Sequence, residues 1–175
     1  LPIPDDEIIW FNPQKFDKII ICFLDRLDNF AMMLARKRVL SKHPLKDKIK
    51  CLGLTESGYY YNPENLKEYE QNREDLRKLL KEELKDATEI FTHDSETGEY
   101  GHSDHILVGQ VVKELAECPV YVLDMGANAS TPNRISIEPD MDFYTNVRQL
   151  YQDENCWTWF GNFYPKLTLY YRNEK

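Results

Sequence analysis

No Cys-x-x-Cys pair, no glycine-rich phosphate loop, no long basic run and no apolar stretch of membrane-spanning length occurs in this chain of 175 residues. Each absence removes a class of function. Cys22, Cys51, Cys118 and Cys156 lie far apart, so neither a zinc knuckle nor a disulfide framework is expected. Cys22 and Cys51 sit in or beside apolar runs and read as buried free thiols. Without a G-x-G-x-x-G or P-loop sequence, nucleotide binding has no support. Lys and Arg total 22 against 30 Asp and Glu, and the formal charge of -8 repels a phosphate backbone, so no nucleic-acid partner is expected. With no signal-peptide pattern and no span of about 20 apolar residues, no transmembrane segment is predicted and a cytoplasmic location is the expectation.

What the chain does have is a hydrophobic fraction of 42%, enough for a single domain over residues 1–175 with a substantial core. The continuous apolar run from Lys18 to Leu24 predicts a strand buried on both faces, as in a parallel sheet. A helix is predicted from Asp28 to Leu40, with Phe30, Met33, Leu34 and Lys37 near helical spacing. A short strand over Ile49 to Leu54 should then end at a Ser57-Gly58 turn. Asn62-Pro63-Glu64 has the capping residue, proline and acid of a helix start, and that helix should run to about Asp86. Its stripe is expected at Leu66, Tyr69, Arg73, Leu76, Leu79, Leu80 and Leu84. A strand over Thr88 to Thr92, a loop from Asp94 to Gly101, a helix from Ser103 to Cys118 and a strand over Pro119 to Leu123 follow. Asn128 to Pro139 reads as loop, Asp140 to Gln152 as helix, and the aromatic tail to Tyr171 as a possible edge strand. Strands alternating with helices predict an α/β fold with a mainly parallel sheet.

Two segments carry the chemistry. In Pro4-Asp5-Asp6-Glu7 three carboxylates stand side by side, which costs self-repulsion unless a cation gathers them. Taken alone, the segment reads as a solvated acidic turn near a helix start. In Gly98-Glu99-Tyr100-Gly101-His102-Ser103-Asp104-His105, two of the four histidines fall three residues apart where a loop enters a helix. Both imidazoles can then share one face, one as a metal ligand and the other as its hydrogen-bonding neighbour. A plainer reading has His102 capping the helix and His105 packing on it. His43, ahead of Pro44, reads as surface.

Taken together, the two segments resemble those of the LmbE-like (PIG-L) deacetylase family, which combines Ala-His-Pro-Asp-Asp-Glu with Gly-His-Pro-Asp-His. Leu1 to Glu7 aligns without a gap, and Gly101 to His105 matches with Ser103 in place of proline. Thr92-His93-Asp94 and Gly98-Glu99-Tyr100-Gly101-His102 are similar to a Thr-His-Asn…Gly-Glu-Tyr-Gly-His form of the same family. The likeness spans Leu1 to about Val112. It implies a Rossmann-like three-layer fold and zinc-dependent removal of an N-acetyl group from an amino sugar or its conjugate. Asp6 and His105 would be zinc ligands, and Asp5 the general base for a water that zinc activates. His102 and Tyr100 would stabilise the oxyanion, one of them protonating the leaving amine.

The family's first histidine ligand has Ile3 in its place, which leaves the expected zinc set one ligand short. His93 or Glu7 is the candidate replacement, although His93 also reads as a buried strand-end histidine bonded to backbone. Only Leu1-Pro2-Ile3 stands where a full strand is expected, so the first strand should be short or missing. The alternative to an enzyme is a metal-free relative acting as a carbohydrate-binding or structural module. Near the C-terminus, Trp157, Trp159, Phe160, Phe163 and Tyr164 read as packing, with sugar stacking, aided by Asn162, as the other use of such rings.

Overall fold

The first predicted strand is present in the computed structural model, which describes residues 1–26, 28–123, 134–159 and 168–173. In chain order the elements are α1 (Asp6–Ile9), β1 (Ile19–Asp25), α2 (Phe30–Lys42), β2 (Ile49–Thr55), α3 (Leu66–Glu83) and β3 (Ile90–Thr92). They continue with α4 (Gly98–Gly101), α5 (Ser103–Leu115), β4 (Val120–Leu123), β5 (Arg134–Ile137), α6 (Met141–Asp153) and β6 (Thr168–Asn173). The chain divides into two units, residues 1–56 with 137–168, and residues 57–136 with 169–175.

In the first unit β1 and β2 pair in parallel, Ile19 opposite Ile49 and Ile21 opposite Cys51. The register then jumps so that Phe23 faces Leu54. Gly53, at φ 72°, lies in the extra stretch of β2, a conformation that glycine adopts without a Cβ clash. Ile21, Cys22 and Phe23 are fully buried, as a strand covered on both faces requires. The first strand, expected to be short or missing, is not formed over Leu1–Ile3, although Leu1 and Pro2 still bond to β1. Leu1 donates to the Ile20 carbonyl at 2.6 Å and accepts from the Cys22 amide at 2.8 Å, the alternation of a parallel ladder. Pro2 adds one more bond, from the Phe23 amide at 2.7 Å.

Asn29 caps α2 by accepting from the Met32 amide at 3.0 Å. The inward face is Met33, Ala35, Arg36 and Val39, whereas Phe30 and Leu34 point outward, so only Met33 of the predicted apolar set faces in. Buried Arg36 pairs with Glu56 at 2.5 Å and also donates to the Leu24 carbonyl at 3.1 Å. Asp140 caps α6 through the Phe143 amide at 2.9 Å, and Tyr144, Val147 and Tyr151 form its buried stripe. Trp157 packs against Tyr144 and Tyr151, and Trp159 meets Trp10 edge to face at 5.3 Å, so both are packing residues. Phe160, Asn162, Phe163 and Tyr164 lie outside the described residues.

In the second unit the helix predicted at Asn62 begins as a 3-10 turn (Pro63–Asn65), with the Asn62 side chain accepting from the Glu64 amide at 3.1 Å. The α-helix proper starts at Leu66, and its buried residues are Asn72, Leu76 and Leu80. Leu66 and Leu79, assigned to the stripe, are exposed instead. Helix α5 buries Leu107, Val108, Val111 and Val112 and ties to α3 through Arg73 to Gln110 and Arg77 to Glu114. Strand β3 pairs in parallel with β4, Ile90 opposite Val120. Two expectations fail here. Arg134 to Ile137, read as loop, is strand β5, and β6 is no edge strand because it lies between β4, its antiparallel partner, and β5. Of the rest of the predicted loop, Glu138 and Pro139 are in neither helix nor strand, and Asn128 to Asn133 lies outside the described residues.

The result is a mixed α/β protein with short parallel strand pairs. Among the described residues no helix is long and apolar enough to cross a membrane. All four cysteines are free, with Cys22 and Cys156 buried and Cys51 and Cys118 half-buried.

Candidate functional site

The acidic segment is not a solvated turn. Asp5, Asp6 and Glu7 are all fully buried in the first unit. Asp5 takes a left-handed backbone at φ 84°, a conformation that costs a non-glycine residue about 1 kcal/mol and concentrates at functional positions. Surrounding bonds hold it there. Its amide donates to the Tyr151 hydroxyl at 3.0 Å, and Tyr151 in turn donates to Glu7 Oε1 at 2.8 Å. The Thr158 hydroxyl donates to Asp5 Oδ2 at 2.6 Å, leaving Oδ1 without a hydrogen-bond partner among the described residues. Burial pushes the Asp5 carboxyl up to about 7, with the Thr158 bond opposing it. Asp6 Oδ2 accepts from the Ile3 amide at 3.1 Å, which fixes the carboxylate against its own turn.

His43, read as surface, is buried. Its Nε2 lies 3.5 Å from Glu7 Oε1, its Nδ1 accepts from the Leu45 amide at 3.0 Å, and its ring meets Phe143 edge-on. Glu7 is thus engaged by Tyr151 and His43, which fits a structural anchor better than a metal ligand.

In the second unit His93 follows directly on β3, His102 is the N-cap of α5 and His105 lies in its first turn. Ring centroids are 4.2 Å apart for His93 and His105, and 4.8 Å for His102 and His105. Tyr100 stands edge-on to both helix histidines, 5.2 Å from His105 and 5.8 Å from His102. The loop-to-helix segment therefore brings His93, Tyr100, His102 and His105 together, while Asp5 and Asp6 are placed by α1 and its turn in the first unit.

Glu99 organises the histidines, and sequence reasoning assigned it no role. One of its oxygens, Oε2, meets Nδ1 of His93 and also Nδ1 of His105, the latter at 3.2 Å. Its other oxygen accepts from the Asp94 amide at 3.0 Å. Glu99 reaches both rings from a left-handed backbone at φ 64°. Although these are ion-pair distances, burial drives both histidines well below the ordinary imidazole range and raises the Glu99 carboxyl, so burial opposes charge on either side of these contacts. His93 thus meets a carboxylate through Nδ1. The expected capping by His102 holds as well: its Nδ1 accepts from the Asp104 amide at 3.3 Å.

Gly109 lets this arrangement close. A Cβ there would lie 2.6 Å from the His93 carbonyl oxygen and 3.0 Å from the Ser95 backbone. Only glycine lets α5 approach the end of β3 so nearly.

The donor set suits a zinc ion. With Nδ1 of each ring given to Glu99, Nε2 would be the nitrogen to meet a metal, and neutral imidazoles backed by a carboxylate are the form that metal ligation uses. Ligand atoms of His93 and His105 lie within 4.8 Å of one another, as do those of His102 and Asp104. No family model, curated protein or solved structure matches the chain.

Proposed function

We propose that the protein is a metal-dependent hydrolase that removes the N-acetyl group from an amino sugar or its conjugate, in the manner of the LmbE-like deacetylases. The observation that carries this reading is the Glu99 carboxylate oxygen shared by the buried rings of His93 and His105. That arrangement supplies a second imidazole where the motif, with Ile3 in the histidine position, lacks one. His93, His105 and Asp6 would hold the ion, with the assignment of Asp6 resting on the motif. Held there, zinc would supply Lewis-acid polarisation of a carbonyl and activation of water near neutral pH.

The chain's own residues supply the rest. Asp5, through Oδ1, takes the proton of the attacking water. His102 and Tyr100 donate hydrogen bonds to the acyl oxygen as charge develops on it, and one of them passes a proton to the departing amine. Acetate and a free amino sugar are the products. The finer architecture belonging to this reading is a Rossmann-like three-layer fold, which the parallel pairings of β1 with β2 and β3 with β4 support. The experiment is zinc content of purified protein, followed by acetate release from N-acetylglucosamine conjugates with zinc, cobalt or nickel supplied.

One observation favours a second reading, a metal-free carbohydrate-binding relative: Ile3 is buried and its aliphatic side chain offers no ligand. That reading expects no retained zinc and no turnover, with sugar binding intact.

A further inference from the structure

Beside His102 the second unit carries a group of tyrosines, of which only Tyr100 has a part in the proposed reaction. Tyr60 stacks on the His102 ring, with centroids 4.7 Å apart and planes 20° from parallel. Tyr61 meets Tyr60 edge to face at 4.9 Å, and Tyr100 does the same at 6.2 Å. All three remain exposed, Tyr60 at 42%, Tyr61 at 68% and Tyr100 at 41%. Their exposure is not that of a loose loop. Ser57 donates to Asp104 at 2.8 Å, Asn65 donates to the Ser57 carbonyl at 3.0 Å, and the Tyr61 and Asn62 amides both donate to the Gly58 carbonyl. Gly58 sits at φ 68°, which a glycine adopts without strain, and Tyr59 is anchored against Tyr69 of α3 at 4.9 Å.

We infer that Tyr60, Tyr61 and Tyr100 form the subsite for the pyranose ring of the substrate; the inference rests on the deacetylase reading and names what that site binds. The covalent geometry of the substrate leads there. The sugar carbon bearing the amide nitrogen is two bonds from the acyl carbon, about 2.5 Å away. An acyl oxygen within hydrogen-bond reach of His102 or Tyr100 therefore brings the sugar ring onto the tyrosines packed around them. Tyrosine suits that occupant: its face takes the C–H side of the pyranose and its hydroxyl meets the ring hydroxyls, whereas a purely aliphatic substituent needs no phenol. Because the loop is already tied down, little ordering accompanies binding.

The test is a calorimetric or NMR titration of the full chain with two probes, the methyl glycoside of N-acetylglucosamine and N-propylacetamide, which keeps the amide but lacks the ring. The glycoside is expected to bind saturably and more tightly than the acyclic amide. In Tyr61→Ala and Tyr60→Leu the glycoside should bind roughly tenfold more weakly, with Tyr61→Phe between Tyr61→Ala and wild type. Circular dichroism melts establish that each variant is folded, and Tyr61, the most exposed of the three, serves if Tyr60→Leu is not. Equal binding of the two probes to wild type, or unaltered glycoside affinity in Tyr61→Ala, overturns the subsite. Zinc content and acetate release are read separately. Tyrosine-dependent sugar binding without zinc or turnover would overturn the deacetylase reading and leave the sugar site standing.

Discussion

Thr158 donates its hydroxyl hydrogen to Oδ2 of Asp5 at 2.6 Å, and its amide approaches the same oxygen at 3.3 Å. One carboxylate oxygen is thereby committed, and the other is the one able to take a proton. Thr158→Val, nearly isosteric, should lower kcat by roughly 10- to 100-fold, the worth of a hydrogen bond to a charged group. Zinc content and KM should hardly change, and Thr158→Ser should restore most of the rate. A variant with full kcat would remove Thr158 from any positioning role.

Glu99 bonds to two rings through one oxygen and to the Asp94 amide through the other, so an amide in its place must turn its NH2 toward either the rings or the Asp94 N–H. Glu99→Gln is expected to weaken zinc binding by about 10- to 100-fold, as loss of such a supporting carboxylate does elsewhere. Competition against a chromophoric chelator measures this directly.

Gly109→Ala places a methyl group 2.6 Å from the His93 carbonyl. Exposed helical alanines normally stabilise relative to glycine, so the sign here is diagnostic. The variant should lose about 1–3 kcal/mol in urea denaturation, as overpacked sites do, and bind zinc less tightly because β3 and α5 are forced apart. Unchanged stability would show that the two elements separate without cost.

Arg36 and Glu56 form a buried pair at 2.5 Å. Removing one partner strands the other charge, so Glu56→Gln or Arg36→Met is expected to cost about 3–5 kcal/mol. The double variant should lose less than the sum of the two, which a double-mutant cycle measured by denaturant unfolding will read.

Acidification acts on the metal-free protein through two opposed effects. His93 and His105 have depressed folded pKa values from burial, so the unfolded chain binds more protons than the folded one below about 6.5. Their contribution is intact above that pH and is lost as pH falls. Asp5, raised to about 7, does the reverse: it favours the folded state at low pH and loses that advantage as pH rises from about 4 to 7. Near pH 5 the two histidines make stability rise with pH, against the raised carboxyls of Asp5 and Glu99. His93→Gln should flatten that slope, and bound zinc should steepen it, since the ion competes with protons for the rings.

Much of this was legible in the sequence, for identifiable reasons. Strands β1 and β4 are short continuous apolar runs, and Asp140 and Asn62 stand where caps belong. Strand β5 was not legible because Arg134-Ile135-Ser136-Ile137 lies in a stretch rich in Asn, Ser and Pro, where turn chemistry masks a brief alternation. His43 was misread because its burial depends on Glu7, far away in sequence. The nearness of His102 and His105 at the start of α5 was legible from their spacing, but Glu99, which joins His105 to His93, was not. Its role comes from a left-handed backbone that no local pattern announces.

His93, Glu99 and His105 belong to one short stretch of a single unit, and that locality bears on how the chain folds. Contacts between near neighbours need little loop closure, so they form early and survive late. In a partly denatured protein the histidine pair should persist as long as its own strand and helix do. Zinc added during refolding would then act as a seed for that unit instead of a finishing touch to the completed fold.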